Sequence, residues 1–233
     1  MTDQAIILAA GRGVRMQPLT FETPKPLLAF HERPMMDYMI EHLAAAGFAK
    51  IVVNGWHLAD QISEFIAKKQ AEYPGIEFIF MREYEELDIA RGVLNALPHF
   101  GDRPFFVLNG DIFWTGDAGI FARMDADFEK NHRPALALCP SENQISAVKR
   151  GEYRMNPDGT ISSGGEPLDM AYMGIHITRA DFLNDIPPAG DTRFLSLSRK
   201  WKILENSGNL RGVVFNGKLY HLSIPADLKM PLQ

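Results

Sequence analysis

Short, wholly apolar runs alternate along this chain with longer stretches whose apolar residues recur every three or four positions. Ala5–Ala10, Ile51–Asn54, Ile76–Met81, Pro104–Leu108 and Ala135–Leu138 have the length and composition of buried strands. Between them, Met35–Ala46 carries Met36, Met39, Ile40 and Leu43 on one helical face and is stopped by Gly47. Leu58–Glu72 predicts a second helix, closed by Pro74–Gly75. Asp88–Leu97 predicts a third, ended by Pro98, and Asp117–Lys130 a fourth. Strands with almost no polar interruption, each followed by a helix, predict a parallel sheet covered on both faces.

After Pro140 the rhythm changes. Glu152–Met155 and Thr160–Ser162 flank Asn156–Pro157–Asp158–Gly159, a hairpin turn. Met170–Ile177, Leu210–Phe215 and Lys218–Leu222 predict further strands, and Leu195–Asn206 a helix. The expectation is α/β: one domain over 1–233 with a Rossmann-like mixed, mainly parallel sheet and helices on both faces. Residues 1–140 form its first half. Residues 141–233 lay shorter, partly antiparallel strands beside it and complete a cleft. Ligands of such sheets bind at the carboxyl ends of strands, which puts the Gly11 loop and Asp111 on one rim.

Composition narrows the classes. The 233 residues suit one sizeable α/β domain, and 46% apolar with 23% charged residues is ordinary for a globular protein. Net charge is −5 and no basic stripe stands out, which argues against nucleic acid or an anionic membrane as partner. Cys139 is the only cysteine, so an intrachain disulfide and a thiolate metal cluster are excluded; it reads as a buried core thiol. MTDQ has no basic leader before its strand-length apolar run, so the expected compartment is the cytoplasm. Oligomeric state has no signature in the chain.

The chemistry is concentrated in Ala5–Leu28, AIILAAGRGVRMQPLTFETPKPLL. A strand runs into a glycine-rich turn, where Gly11 and Gly13 let backbone approach phosphate. Arg12, Arg15 and Lys25 can supply the positive charge that a triphosphate needs. Pro24 and Pro26 stiffen the backbone that presents Lys25. A dinucleotide loop would need a third glycine and a later acid. Arg15 and Met16 stand near the place of that glycine, and Pro18 denies an immediate long helix. Asp111, ending the run VLNGD, is placed to hold Mg²⁺, which prefers oxygen ligands and phosphate co-ligands.

LAAGRGVRM, TPKPLL and VLNGD, in this order, resemble the sugar-1-phosphate nucleotidyltransferases. Within that family the chain is most similar to short bacterial enzymes resembling N-acetylmuramate-1-phosphate uridylyltransferase and mannose-1-phosphate guanylyltransferase. GFAKIVVNGWHLADQI, ALPHFGDRPFFVLNGDIFW, GEYRMNPDGTI and AYMGIHI extend the likeness over most of the chain. The resemblance implies a nucleotide-diphospho-sugar transferase fold, with 1–140 binding nucleotide and 141–233 binding sugar. It implies attack of a sugar 1-phosphate on the α-phosphorus of a nucleoside triphosphate, with uracil as the expected base and guanine as the alternative. Arg15, Lys25 and Asp111 would be catalytic. Leu8, Ala9, Ala10, Gly11, Gly13, Arg15 and Asp88 would bind nucleotide, and Asn109, Glu152 and Gly174 the sugar. Asp111 and His221 would hold Mg²⁺, with Mn²⁺ as a substitute.

The chain also departs from that pattern. Asp88-Ile89-Ala90-Arg91-Gly92 stands where relatives carry Glu-Thr-Gly-Gly-Gly, and His221 stands at the position of a second metal-binding aspartate. The helix Leu195–Asn206 has Ser198 and Lys202 where Asn and Asp are expected. Ala90 and Arg91 are expected to add side chains beside the ligand. An Arg91 side chain in the pocket would favour a second reading, a catalytically weakened paralogue with a regulatory role. Trp56, His57 and His176 read as packing or strand-end residues, and Glu83–Glu86 as a rim loop that either touches the base or is solvated.

Overall fold

The apolar runs become strands of one central sheet in the computed structural model, which describes residues 1–146, 149–186 and 195–232. In chain order the seven strands are β1 (Gln4–Leu8), β2 (Lys50–Gly55), β3 (Glu77–Arg82), β4 (Phe105–Asn109), β5 (Ala135–Pro140), β6 (Met170–Thr178) and β7 (Arg211–Val214). Across the sheet they lie in the order β7-β5-β6-β4-β1-β2-β3. β1 is parallel to β2 and β4, β2 to β3, and β5 to β7. β6 runs antiparallel to both β4 and β5. The mixed, mainly parallel sheet is therefore as expected. β6 corrects one detail, since this long strand from the second half is inserted inside the sheet and not laid beside it.

Strand alternation fills two layers. Ala5, Ile7, Ile51, Val53, Phe106 and Leu108 point to one face. There they meet α1 (Met35–Ala45), α2 (Ala59–Glu72) and, after β4, α4 (Ile120–Asn131). Ile6, Val52, Phe105 and Val107 point to the other face. They are covered by α3 (Ile89–Ala96) and α5 (Leu197–Asn206). Side chains of this size contribute roughly 1.5–3 kcal/mol each when fully buried, and both layers are built from them. Among the described residues no helix is long and apolar enough to cross a membrane.

Element ends differ from expectation where polar groups intervene. The first strand stops at Leu8, not Ala10, because the Ala9 N–H leaves the ladder and donates to Asn54 Oδ1 at 2.7 Å. The fourth helix begins at Ile120, after a turn at Gly116 and Asp117, both with positive φ. Asp117 accepts hydrogen bonds from Arg123 and from the Asn216 N–H there. Ala29–Phe30 pairs with Arg33–Pro34, and Phe113–Thr115, Lys218–Tyr220 and Gln144–Ile145 form a small third layer. Of these, Lys218–Tyr220 lies within the expected strand Lys218–Leu222; the other segments of two or three residues show no period for the sequence to reveal.

Candidate active site

β1 and β4 are neighbours in register, with Leu8 beside Asn109, so the loops leaving them share one rim. Gly13 adopts a left-handed φ of 61°, and a Cβ there would lie 2.9 Å from Thr20 Cγ2 and 3.0 Å from Lys25 Cβ. Only glycine lets the first loop fold back onto the second. Lys25 opens a 3₁₀ turn, preceded by extended Pro24 and continued by Pro26. Its side chain is only 8% exposed and its Nζ donates to Asp111 Oδ2 at 2.8 Å. Arg15 is exposed, with no hydrogen-bond or ionic partner among the described residues.

These groups sit at the junction of a two-lobed cleft. The larger lobe, about 470 Å³, is walled by the Gly11 loop, by Asn54 and Glu83 at the ends of β2 and β3, and by Leu87, Asp88 and Ile89. The smaller, about 170 Å³, is walled by Ile112, by Tyr172, Met173 and Gly174 of β6, and by residues 219–223. Arg15, Lys25, Asn109 and Asp111 line both lobes. The cleft is thus polarised. Two cations and a carboxylate lie at the junction, while the far end of the larger lobe is acidic and partly apolar.

The expected residues converge. Leu8, Ala9, Ala10, Gly11, Gly13, Arg15, Lys25, Asp88, Asn109 and Asp111 all line the larger lobe, and Gly174 and His221 the smaller. Glu152 does not: it lines neither lobe, is exposed, and its carboxylate accepts the Tyr172 N–H at 3.0 Å. Arg12 also departs from expectation. Its guanidinium is turned from the phosphate loop to lie over the Trp56 ring, 4.6 Å from the centroid, and bonds both carboxylate oxygens of Glu86. The Ala9 N–H is committed to Asn54 and is withheld from a ligand. Asp88 lines the lobe, yet its two oxygens already accept the N–H groups of Arg91 and Leu195. It is the N-cap of α3. Gly174 has a φ of +82°, and a Cβ would come within 2.8 Å of Ile112 and 3.1 Å of the Asn109 amide. Its small size serves Asn109 as well as the cleft.

The altered segment is resolved by its helix. Ala90 points into the core beneath, with Ile6, Val52 and Val93, and is 1% exposed. Neither Ala90 nor Arg91 lines either lobe. The expectation that these side chains crowd the ligand is overturned, because the helical turn carries them away from it. Ser198 and Lys202 lie on α5, where Lys202 bonds Ser163 and Glu205.

One polar group, Asn54, escaped sequence reading, and Glu83, read as part of a rim loop, is more deeply placed than expected. Asn54 is 3% exposed and Glu83 7%, and both line the larger lobe. The Asn54 amide is oriented by the Ala9 N–H on its oxygen, and its Nδ2 donates to Glu83 Oε1 at 2.8 Å. Burial raises the Glu83 carboxyl above its usual range, the Asn54 hydrogen bond opposes this in part, and the nearby Asp88 charge adds to it. The expected rim loop therefore has a buried end. A polar residue closing an otherwise apolar strand, Asn54 in IVVN, is the signal that was available. His57 and His176 behave as read: His57 contacts the Thr20 carbonyl oxygen, and His176 packs edge-on to Trp201.

A mixed sheet with a glycine loop, a proline-flanked lysine and a strand-end aspartate around one cleft defines a nucleotide-binding transferase. The nucleotidyl transferase family matches residues 4–151. N-acetylmuramate alpha-1-phosphate uridylyltransferase of Caulobacter vibrioides is 31% identical over 229 residues, covering 95% of this chain and 92% of that one. The enzyme of the same name from Neisseria meningitidis is 34% identical over 187 residues, 74% of each chain. Among solved structures, UDP-glucose pyrophosphorylase with UDP-glucose aligns with a TM-score of 0.77 at 16% identity, covering 98% of this chain and 96% of that one. The inositol-1-phosphate CTP transferase of T. maritima aligns with a TM-score of 0.77 at 19% identity, covering 97% and 91%. The chain belongs to the sugar-1-phosphate nucleotidyltransferase family and is an enzyme of that class.

Proposed function

We propose that the protein transfers UMP from UTP to a sugar 1-phosphate, giving a UDP-sugar and pyrophosphate. The observation that carries this reading is the cleft of two lobes meeting at Arg15, Lys25, Asn109 and Asp111. A triphosphate lying with its base in the larger lobe brings its α-phosphorus to that junction, and an acceptor phosphate enters from the smaller lobe. The acceptor oxygen forms the new P–O bond as the bond to the β-phosphate breaks, and pyrophosphate takes the electron pair. A sugar phosphate is ionised at neutral pH, so no general base is required. Catalysis is positioning and charge stabilisation. Lys25 neutralises charge between the two phosphates, and Arg15 charge on the departing pyrophosphate.

A divalent cation fits part of this donor set. Among the described residues no cluster of three or more His, Cys, Asp or Glu is poised for a metal. Mg²⁺ needs no such cage, being commonly held by one or two carboxylates with substrate phosphates. Asp111 is the oxygen donor for it. The His221 imidazole lines the same lobe but suits softer ions better. The ion's contribution is to offset phosphate charge. Uracil is supported by the two relatives matched over most of the chain, both uridylyltransferases. Their acceptor, N-acetylmuramate 1-phosphate, is the first sugar to try.

The test is pyrophosphate release with Mg²⁺ or Mn²⁺, across the common triphosphates and a panel of sugar 1-phosphates. Release requiring UTP and one sugar phosphate is expected. Release with another base alone would overturn the uridylyl reading, and none with any pair would overturn nucleotidyl transfer.

A further inference from the structure

Resting on the nucleotidyl-transfer reading, we propose that Tyr172 and His176 are positioning residues for the sugar phosphate. Their side-chain hydrogen bond clamps a bulge in β6, and that bulge forms one wall of the acceptor lobe.

The register between strands shows the bulge. On β5, Leu138 faces Tyr172 and Leu136 faces His176. Two steps of β5 are thus matched by four steps of β6, so β6 carries two extra residues there. An even excess preserves the alternation of faces. Met173 and Ile175 still point to the layer that holds α4, while Tyr172 and His176 face that of α5 and Trp201. The surplus is taken up at Gly174, with its left-handed φ of 82°. On the other side of β6, pairing with β4 begins only at Ile175, opposite Leu108. Gly174 then stands beside Asn109, whose Cβ and amide fill the space that a Cβ would need. Tyr172, Met173 and Gly174 line the smaller lobe, and Asn109 lines both. The bulge therefore fixes a wall of the acceptor lobe and backs the amide at the junction. Bulges beside binding sites re-aim side chains in this way.

The hydrogen bond and the bulge depend on each other. In a regular strand, residues four apart are separated by about 13 Å, and residues two apart by about 7 Å. The extra length brings Tyr172 and His176 to the shorter spacing, and the Tyr172 hydroxyl lies 2.8 Å from His176 Nδ1. Among the described residues this is the only hydrogen bond of either side chain. Trp201 packs edge-on against the imidazole, with ring centroids 4.9 Å apart, and His176 is 2% exposed. The buried imidazole has no water to replace its partner. Flattening the bulge would draw the two side chains apart and break the bond. The Tyr172 N–H is held separately by the Glu152 carboxylate, so loss of the hydroxyl loosens the bulge without undoing its entry.

The experiment is steady-state pyrophosphate release by Tyr172→Phe, His176→Leu and His176→Asn. The substrates are the pair that the panel above selects, with UTP and N-acetylmuramate 1-phosphate tried first. Asparagine keeps a hydrogen-bonding atom at the place of Nδ1, whereas phenylalanine and leucine abolish the bond. In Tyr172→Phe and His176→Leu the sugar-phosphate KM should rise about fivefold to tenfold, while kcat and the KM for UTP stay within about twofold. His176→Asn should keep a sugar-phosphate KM near that of the unaltered protein, although it too leaves a smaller side chain in the core. Equal rises in both KM values, no rise in Tyr172→Phe and His176→Leu, or His176→Asn impaired as much as His176→Leu would overturn the clamp. Amide hydrogen exchange at Met173–Ile175 reads the same clamp without turnover. It should quicken in Tyr172→Phe and His176→Leu but not in His176→Asn, and unchanged exchange in the first two would overturn the proposal. If His176→Leu does not fold, Tyr172→Phe, which keeps the ring, decides. No pyrophosphate release by the unaltered protein with any pair would overturn the nucleotidyl-transfer reading, and exchange would still decide the clamp.

Discussion

Lys25 and Asp111 depend on each other. The lysine is nearly buried, and its one ionic partner among the described residues is the carboxylate that also suits a divalent cation. An incoming cation and phosphate must share this pair between them. Asp111→Asn is therefore expected to lower turnover by about 10²–10³-fold and to raise the Mg²⁺ concentration required. Pyrophosphate release against metal concentration measures both. The same change costs about 1 kcal/mol of stability, since it weakens the partner of a buried ammonium. The cost stays below that of a fully buried pair because the Asp111 side chain is 39% exposed. At this scale the sequence was informative for Arg15, Lys25 and Asp111, whose motifs are local. It was silent on Asn54 and on the burial of Glu83 against it, because that pairing joins positions far apart in the chain. It misplaced Arg12, because the competing partners Trp56 and Glu86 lie on other loops.

At the scale of the element, the segment after β3 is the instructive case. Read as a string, Ala90 and Arg91 replace glycines beside the ligand. Read as the first turn of α3, they point elsewhere, and Asp88 caps the turn by accepting the Arg91 N–H at 2.9 Å. Restoring glycine at Ala90 and Arg91 is thus expected to leave sugar-phosphate affinity unchanged. Ala90→Gly should instead lose about 1 kcal/mol through helix propensity and a missing buried methyl. Urea unfolding of the single variants, beside calorimetry with the acceptor, checks both statements. Asp88→Ala should cost a similar amount, because α3 loses its cap and Leu195 the acceptor for its N–H.

At the scale of the whole molecule, the sheet carries a titrating residue in its interior. Burial holds the His176 imidazole down at about 3, against an ordinary 6.5. Its Nδ1 faces the Tyr172 hydroxyl at 2.8 Å, while Nε2 is buried without a hydrogen-bond partner among the described residues. Below its ordinary value the unfolded chain takes up a proton that the native protein refuses until about pH 3. Stability is then full above pH 6.5 and falls as pH drops below it, by roughly 1.4 kcal/mol per pH unit for this one group. Burial pushes His42 in the same direction, whereas Glu83 acts oppositely, its raised carboxyl favouring the native state as acid is added. Unfolding free energies measured across mildly acid pH should slope accordingly. His176→Leu should flatten the slope by about one proton. A slope unchanged in that variant would remove His176 from the account.

The sequence alone determined what depends on neighbours along the chain. Apolar period decided which stretches were strands and which were helices, and hence a sheet covered on both faces. Glycine and proline chemistry marked the phosphate loop and the lysine turn. Tertiary structure alone decided what depends on strand order. It inserted β6 between β4 and β5, and it closed the cleft's smaller lobe with residues 219–223. It buried Glu83 against Asn54 and turned Ala90 and Arg91 away from the ligand. The physical reason is range: propensity and turn geometry act within a few residues, whereas burial, charge pairing and side-chain direction are set by contacts between distant segments.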